Sequence, residues 1–268
     1  MTNTTTGPLL GTTTTVKFQT GVQYGFYFDQ SRCVSCRTCV IACRDWYNTP
    51  PGPVKMLKIF EWETGTFPTT RLNFLFAPCY HCASPACVAQ ANGAMFKEGN
   101  YGAVLINPAL QNSASLRAAW NACPYGSISF DSDSPTANAF KCTMCIDRLT
   151  QNQYPICVEA CPLRALDFDT MTNLQQKYGN NSQLTGMPSP TTTPSVVFKP
   201  HVQTKTNLVT YDPNEALQLW QQRPSGLPPF FSDPSDVTNT SAVVVGRNQL
   251  NMKAASTEQF LYDTQTDD

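Results

Sequence analysis

Charge, histidine and long apolar runs are all scarce in this chain, and each scarcity removes a class of function. Charged residues make up 14%, well below the roughly 25% of ordinary soluble domains. The 18 Lys and Arg nearly cancel the 19 Asp and Glu, so there is no basic field to attract nucleic acid or anionic lipid. The two histidines are His81 and His201. A Rieske-type centre needs two on one iron, and these lie far apart in sequence, so His81 is expected to pack beside a site rather than to ligate. No stretch reaches the roughly 18 apolar residues of a transmembrane helix, and no direct membrane span is expected. Residues 1–20 are rich in threonine, without a charged start or an apolar run, and are not expected to act as a signal peptide. No nucleophile–base constellation, phosphate-binding loop or catalytic carboxylate pair stands out, so the chain itself is not expected to be catalytic.

What is abundant is cysteine, and only in one region. All twelve cysteines fall between Cys33 and Cys161, most of them two to four residues apart. A chain of 268 residues with 41% hydrophobic content can pack a core without a disulfide scaffold. Clustered spacing serves chelation, whereas a disulfide framework has no use for it.

Four groups are legible. The first, Cys33-x2-Cys36-x2-Cys39-x3-Cys43, is the bacterial ferredoxin run without its usual proline. Three thiolates on one tight loop can converge on one cubane, while the fourth, across a helical turn, points toward a second cluster. The second group is Cys79-x2-Cys82-x4-Cys87, and its expected fourth position holds Ala91. The third keeps only Cys123-Pro124; the loop positions upstream hold Ser113, Leu116 and Ala119. The fourth is Cys142-x2-Cys145-x11-Cys157-x3-Cys161-Pro162. Structural zinc sites also use paired Cys-x2-Cys elements, but a ferredoxin run with separate Cys-Pro pairs is not their pattern.

In two-cluster ferredoxins the fourth cysteine of each motif ligates the cluster of the other. If the first group pairs with the fourth and the second with the third, three [4Fe–4S] sites result. They are Cys33, Cys36, Cys39 and Cys161; Cys142, Cys145, Cys157 and Cys43; and Cys79, Cys82, Cys87 and Cys123. The set left over, at 91, 113, 116 and 119, contains no cysteine, so a whole cluster is expected to be absent rather than one ligand.

Strands are expected at Tyr24-Gly25-Phe26-Tyr27-Phe28, Ala103-Val104-Leu105-Ile106, Ile128-Ser129-Phe130 and Ala165-Leu166-Asp167-Phe168. Each Cys-Pro pair should end a short helix. The expected fold class is α+β: two ferredoxin-like modules plus an extended, irregular C-terminal tail. Residues 1–20 form a polar arm, 21–60 and 140–170 the two halves of the first module, and 61–139 the second module with one site lost. Residues 171–268, rich in Pro, Thr, Asn, Ser and Gln, are expected to wrap a partner. Lys141, Arg148 and Arg164 flank cysteine loops, where they could raise reduction potentials or form partner-facing salt bridges. Trp46, Tyr80, Trp120 and Tyr125 are expected to keep water off the clusters, with Trp120 filling the space of the absent one.

The motifs YGFYFDQSRCVSCRTCVIACRDWY (24–47), HCASPAC (81–87), ACPYG (122–126) and PICVEACPLRALDF (155–168) resemble the iron–sulfur subunit of the dimethyl sulfoxide reductase family. That family also includes the corresponding subunits of polysulfide reductase, formate dehydrogenase and nitrate reductase. The resemblance covers residues 22–200. It implies a catalytic subunit holding molybdopterin with Mo or W, often a membrane anchor handling quinone, and a place in anaerobic respiration of sulfur compounds or S- and N-oxides. The family usually carries four clusters, and by resemblance the missing one is distal from the molybdenum. A soluble acceptor, a repositioned membrane subunit, or an internal redox reservoir as in pyrogallol–phloroglucinol transhydroxylase would each fit. The low charge and many Thr, Asn and Gln residues favour an extracytoplasmic location, reached folded with a partner, over a cytoplasmic one.

Overall fold

The computed structural model describes residues 17–49, 52–65, 71–189, 192–201, 212, 214–215, 218, 222, 250–253 and 256. Most of the N-terminal arm (1–16) and most positions after 201 lie outside the described residues. The chain divides into two compact units. One comprises 1–60, 74–201 and 251–268 and contains every cysteine; the other comprises 61–73 and 202–250. In the second unit the Asn73 amide donates to the Trp62 carbonyl at 3.3 Å and to Thr64 Oγ1 at 2.9 Å.

The first unit is organised around β1 (Tyr24–Asp29), whose six residues are all buried. A strand covered on both faces reads as a nearly continuous apolar run, which YGFYFD does. The strand β8 (Leu166–Thr170) pairs with it antiparallel, Phe26 opposite Phe168. On the other side β9 (Val196–Lys199) pairs parallel, Tyr27 opposite Val197. Gly25 is required here, because a Cβ at that position would collide with the Ser195 carbonyl and the Met171 sulfur. Helix α6 (Met171–Tyr178) follows β8 directly, with the Thr170 hydroxyl capping Asn173 N–H. It covers the sheet with Leu174 and with Tyr178, whose ring stacks on Tyr27 at 3.6 Å. Within the segment expected to be an extended tail, α6 and β9 therefore complete the central sheet. Their polar composition misled because only a few positions, such as Val196, Val197, Phe198 and Leu174, carry the buried face.

The remaining elements are short. Two-stranded pieces form from β2 (Lys58–Thr64) with β3 (Arg71–Ala77), β4 (Met95–Lys97) with β5 (Val104–Ile106), and β6 (Ser129–Phe130) with β7 (Ala139–Phe140). The four expected strands correspond to β1, β5, β6 and β8. Helices α3 (Ser115–Ala122) and α5 (Ile156–Ala160) stop immediately before Cys123-Pro124 and Cys161-Pro162. The proline ring excludes the helical conformation at the preceding residue, and both cysteines are extended, with ψ of 114° and 109°. Helix α1 (Thr38–Trp46) packs against α5, and α2 (Ala86–Gln90) against α3. The first unit resumes at 251–253: Met252 is buried, and Lys253 donates to the Asn121 carbonyl at 2.8 Å. Gly126, at φ 55°, leaves room for the Met252 carbonyl where a Cβ would otherwise stand. Among the described residues no helix is long and apolar enough to cross a membrane.

Candidate metal centres

Three cysteine loops share one backbone device. Two residues after the first cysteine of each loop the chain turns left-handed: Ser35 at φ 55°, His81 at 43° and Met144 at 60°. For residues with side chains this conformation costs about 1–2 kcal/mol, so something must offset it. The turn brings N–H groups inward: His81 N–H points to Cys79 Sγ and Met144 N–H to Cys142 Sγ, both at 3.4 Å. Concave runs of N–H groups of this kind bind anions, iron–sulfur clusters included. Arg37 and Cys145, also left-handed, open α1 and the short helix α4 (Ile146–Leu149).

The fold brings the sequence-distant thiols together. Cys39 lies beside Cys161, Cys33 and Cys36; burial and these neighbours push its thiol up to about 12. Cys157 is buried beside Cys145, Cys142 and Cys43, and its thiol is raised well above the ordinary range. Cys82 and Cys87 both lie beside Cys79 and Cys123, and burial followed by those neighbours raises each thiol to about 12. The groups also adjoin one another. Cys39 is close enough to Cys43 and Cys157 to raise both, and Cys79 raises Cys142. Thus Cys39 stands at the junction of the first and middle groups, and Cys142 with Cys79 at the junction of the middle and third.

Exposure differs along this series. In the first group Cys36 is exposed and Cys33 half-buried. All four thiols of the middle group are buried. In the third, Cys79 and Cys123 are buried while Cys82 and Cys87 are half-buried.

Charge differs as well. Near the first group Arg164 is exposed and donates to the carbonyls of Cys161 (3.1 Å) and Glu159 (3.0 Å). Near the middle group Arg148 is buried, but Glu159 answers its charge at 2.5 Å. The hydroxyl of Tyr47 donates to Asp147 at 2.8 Å, meets Thr143 Oγ1 at 2.7 Å and stands beside Cys145. The third group is surrounded by amines. Lys97 Nζ donates to the Cys82 carbonyl at 2.7 Å and lies near Cys82, Cys79 and Cys87. Lys141 Nζ donates to the carbonyls of Cys142 (2.7 Å) and Val104 and lies near Cys87. Lys58 Nζ donates to the Gly126 carbonyl; burial lowers it to about 8, against the pull of Cys123 and Cys79.

His81 is fully buried and, through burial first and then Lys141 and Lys97, held well below the ordinary histidine range. Its Nδ1 accepts from Val104 N–H at 2.9 Å, which puts the ring proton on Nε2. Among the described residues Nε2 has no partner, and a buried donor without an acceptor is costly. Of the aromatic residues expected to exclude water, Tyr80 and Tyr125 are buried and meet edge to face at 5.0 Å. Trp46 is instead exposed, its indole donating to Asp147 at 2.6 Å.

The cysteine-free set has a different fate. Ala91, Leu116 and Ala119 have no exposure at all and belong to one apolar cluster with Ala94, Met95, Val104, Ile128 and Phe130. Cys87 and the half-buried Trp120 pack against its rim. Trp120, expected to fill the space, is secondary to the helix α2–α3 contact itself. Ser115 Oγ–H joins the two helices by donating to the Ala91 carbonyl at 2.8 Å.

Sequence reading missed Lys58, Lys97 and Tyr47. Neither lysine lies within a cysteine motif; Tyr47 does follow one, four residues after Cys43, where a helical turn returns it to the site.

The donor chemistry fits iron–sulfur clusters: all-thiol groups, inward N–H groups and an unsatisfied Nε2–H that cluster sulfur could accept. Among the described residues no three His, Cys, Asp or Glu side chains close to the spacing of a single metal ion.

Residues 70–171 match the 4Fe-4S dicluster domain family. The sequence is 37% identical over 191 residues to the B subunit of anaerobic dimethyl sulfoxide reductase from Haemophilus influenzae, covering 67% of this protein and 90% of that one. With its namesake from Escherichia coli it shares 34% over 193 residues, covering 68% and 91%. The formate dehydrogenase subunit beta of Megalodesulfovibrio gigas is 30% identical over 179 residues, covering 56% and 78%. The protein therefore belongs to the iron–sulfur subunits of the dimethyl sulfoxide reductase family.

Proposed function

We propose that this chain is an electron-transfer subunit holding three [4Fe–4S] clusters for a molybdopterin-containing catalytic partner with Mo or W. Cys33, Cys36, Cys39 and Cys161 hold the first; Cys142, Cys145, Cys157 and Cys43 the middle one; Cys79, Cys82, Cys87 and Cys123 the third. When bound, each cluster supplies a one-electron carrier. The observation that carries the reading is that the twelve cysteines gather into three groups of four, while three of the four remaining motif positions, Ala91, Leu116 and Ala119, sit in an apolar core and the fourth, Ser113, is half-buried.

The chain's own residues do the rest. The β1–β8 pairing and the α1–α5 contact bring Cys161 to the first loop and Cys43 to the fourth, which supports ferredoxin-like exchange between them. The contact of α2 with α3 brings Cys123 toward the second loop. Burial of the middle thiols keeps water from the inner group, and half-exposed thiols at both ends leave two faces through which electrons can pass to partners. One end serves the catalytic subunit; the other serves a membrane anchor or a soluble acceptor.

Iron and acid-labile sulfide on anaerobically prepared protein test this directly. About twelve of each per chain is expected, four per cluster. About sixteen would require non-cysteine ligands at the fourth site, and zinc in place of iron would end the electron-transfer reading. The closed fourth site also favours a second reading, a redox reservoir in a transhydroxylase-like complex without net electron export. Reduction of the clusters by the complex's substrate, followed by reoxidation by an external acceptor, selects the relay; clusters silent through turnover select the reservoir.

A further inference from the structure

The three thiol groups differ most in the positive charge placed around them. At the first group the guanidinium of Arg164 is exposed, where water and salt screen it. At the middle group Arg148 is neutralised by Glu159 at 2.5 Å, and Asp147 adds negative charge near Cys145. At the third group Lys141 is buried and Lys97 half-buried, and among the described residues every acceptor of these two amines is a neutral oxygen. Lys58, also buried, stands on the side of Cys123 and Cys79. Buried ammonium groups that carbonyls alone satisfy need negative charge close by, and the four thiolates of this group are the near source.

Resting on the three-cluster reading, the geometry points to Lys58, Lys97 and Lys141 as positioning residues that favour the reduced form of the cluster held by Cys79, Cys82, Cys87 and Cys123. Reduction adds one negative charge, and fixed positive charge in a poorly solvated site stabilises that added electron. Because Arg164 is exposed and Arg148 is paired with Glu159, whereas Lys97 and Lys141 donate to neutral oxygens beside the third group, this cluster is reduced first of the three. Electrons then collect at the end of the series beside the closed fourth site, with Cys82 and Cys87 half-buried at the surface there. The amines thus do what a further cluster would otherwise do, drawing electrons away from the first group.

Potentiometric titration of the intact protein, followed by electron paramagnetic resonance with dithionite and redox mediators, tests this without any turnover. Lys97→Gln is the first variant, since Lys97 is the least buried of the three. Its expected effect is an approximately tenfold weaker reduction equilibrium for one cluster, or 59 mV for a one-electron couple, with the other two unmoved. The component that moves should be the one reduced first in the unmodified protein. Lys97→Arg, which keeps the charge, should restore it; Lys58→Gln serves as an independent second variant. An unmoved potential, an equal shift of all three clusters, or a shift confined to a later-reduced component overturns the inference. Iron content separates the two levels of the argument. A wrong cluster number sinks the three-cluster reading, whereas correct iron with an unmoved potential sinks only the role of the amines.

Discussion

The helix pairs α1–α5 and α2–α3 solve the same problem in opposite ways. Both bring two cysteine motifs face to face. Across α1–α5, Cys43 and Cys161 each sit beside thiols of the opposite motif. Across α2–α3 only Cys123 does so; of the four reciprocal positions Ala91, Leu116 and Ala119 have zero exposure and Ser113 is half-buried. Both pairs pack directly, but the first brings thiols of two motifs together. The second is closed by direct apolar contact, which needs nothing.

The sharpest way to break this comparison is Cys157→Ser. Cys157 is buried among Cys145, Cys142 and Cys43, so the middle cluster should be lost with its iron, and the protein should be strongly destabilised on the α1–α5 side. Iron analysis with thermal unfolding checks it; full iron content with unchanged stability would remove Cys157 from the ligand set.

Leu116→Ala is the counterpart on the closed side. It should cost about 2–5 kcal/mol as a buried cavity while leaving the iron count unchanged, as read by denaturant unfolding and iron analysis on one preparation. Loss of iron at that position would mean that the apolar cluster and the third group are not independent.

A smaller contrast concerns the polar ties that hold each side. On the first side Asp29, at the end of β1, accepts from Ser31 N–H (3.0 Å), Ser31 Oγ–H (2.5 Å) and Lys199 Nζ (2.9 Å), just before Cys33. Burial raises the Asp29 carboxyl, but the Ser31 and Lys199 bonds outweigh it and hold it below the ordinary value. A carboxyl lowered on folding contributes stability fully above its unfolded pKa of about 3.9 and loses it as pH falls through the folded value. Asp29→Asn should therefore cost about 1.5 kcal/mol at neutral pH, the scale of a charged hydrogen bond. The gap from the unmodified protein should shrink toward zero in acid, as measured by unfolding across pH. A gap that persists in acid would locate the effect in packing rather than charge.

Ser115→Ala should have the smallest effect. It removes the hydroxyl bond from α3 to the Ala91 carbonyl at a cost of about 1 kcal/mol, with all cluster signals unchanged. Any change in cluster signal would show that this helix contact also sets the third thiol group.

Much of the site was legible because its chemistry is local. The three-residue spacing of Cys33, Cys36 and Cys39 states a loop, and Cys-Pro at 123 and 161 states where helices α3 and α5 must end. The aromatic run at 24–28 likewise states a buried strand. The partners of that strand were less legible. β8 was readable as a strand, but β9 was not: Val196, Val197 and Phe198 stand out only as a short apolar island in a polar segment, and parallel pairing across so long a connection leaves no local sign of the partner. Lys58 and Lys97 were invisible because they reach the third group from β2 and β4, outside every cysteine motif.

By itself, then, the sequence determined how many thiols there are, how they are spaced, and that one set of four positions carries none. Those properties depend only on residue identity and on the reach of a few bonds. The tertiary structure alone decided which amines stand beside which thiols, which groups are sheltered from water, and that three of the four cysteine-free positions close into a core. Charge and exposure at a site are sums over everything that folds around it, and long-range packing assembles that surrounding.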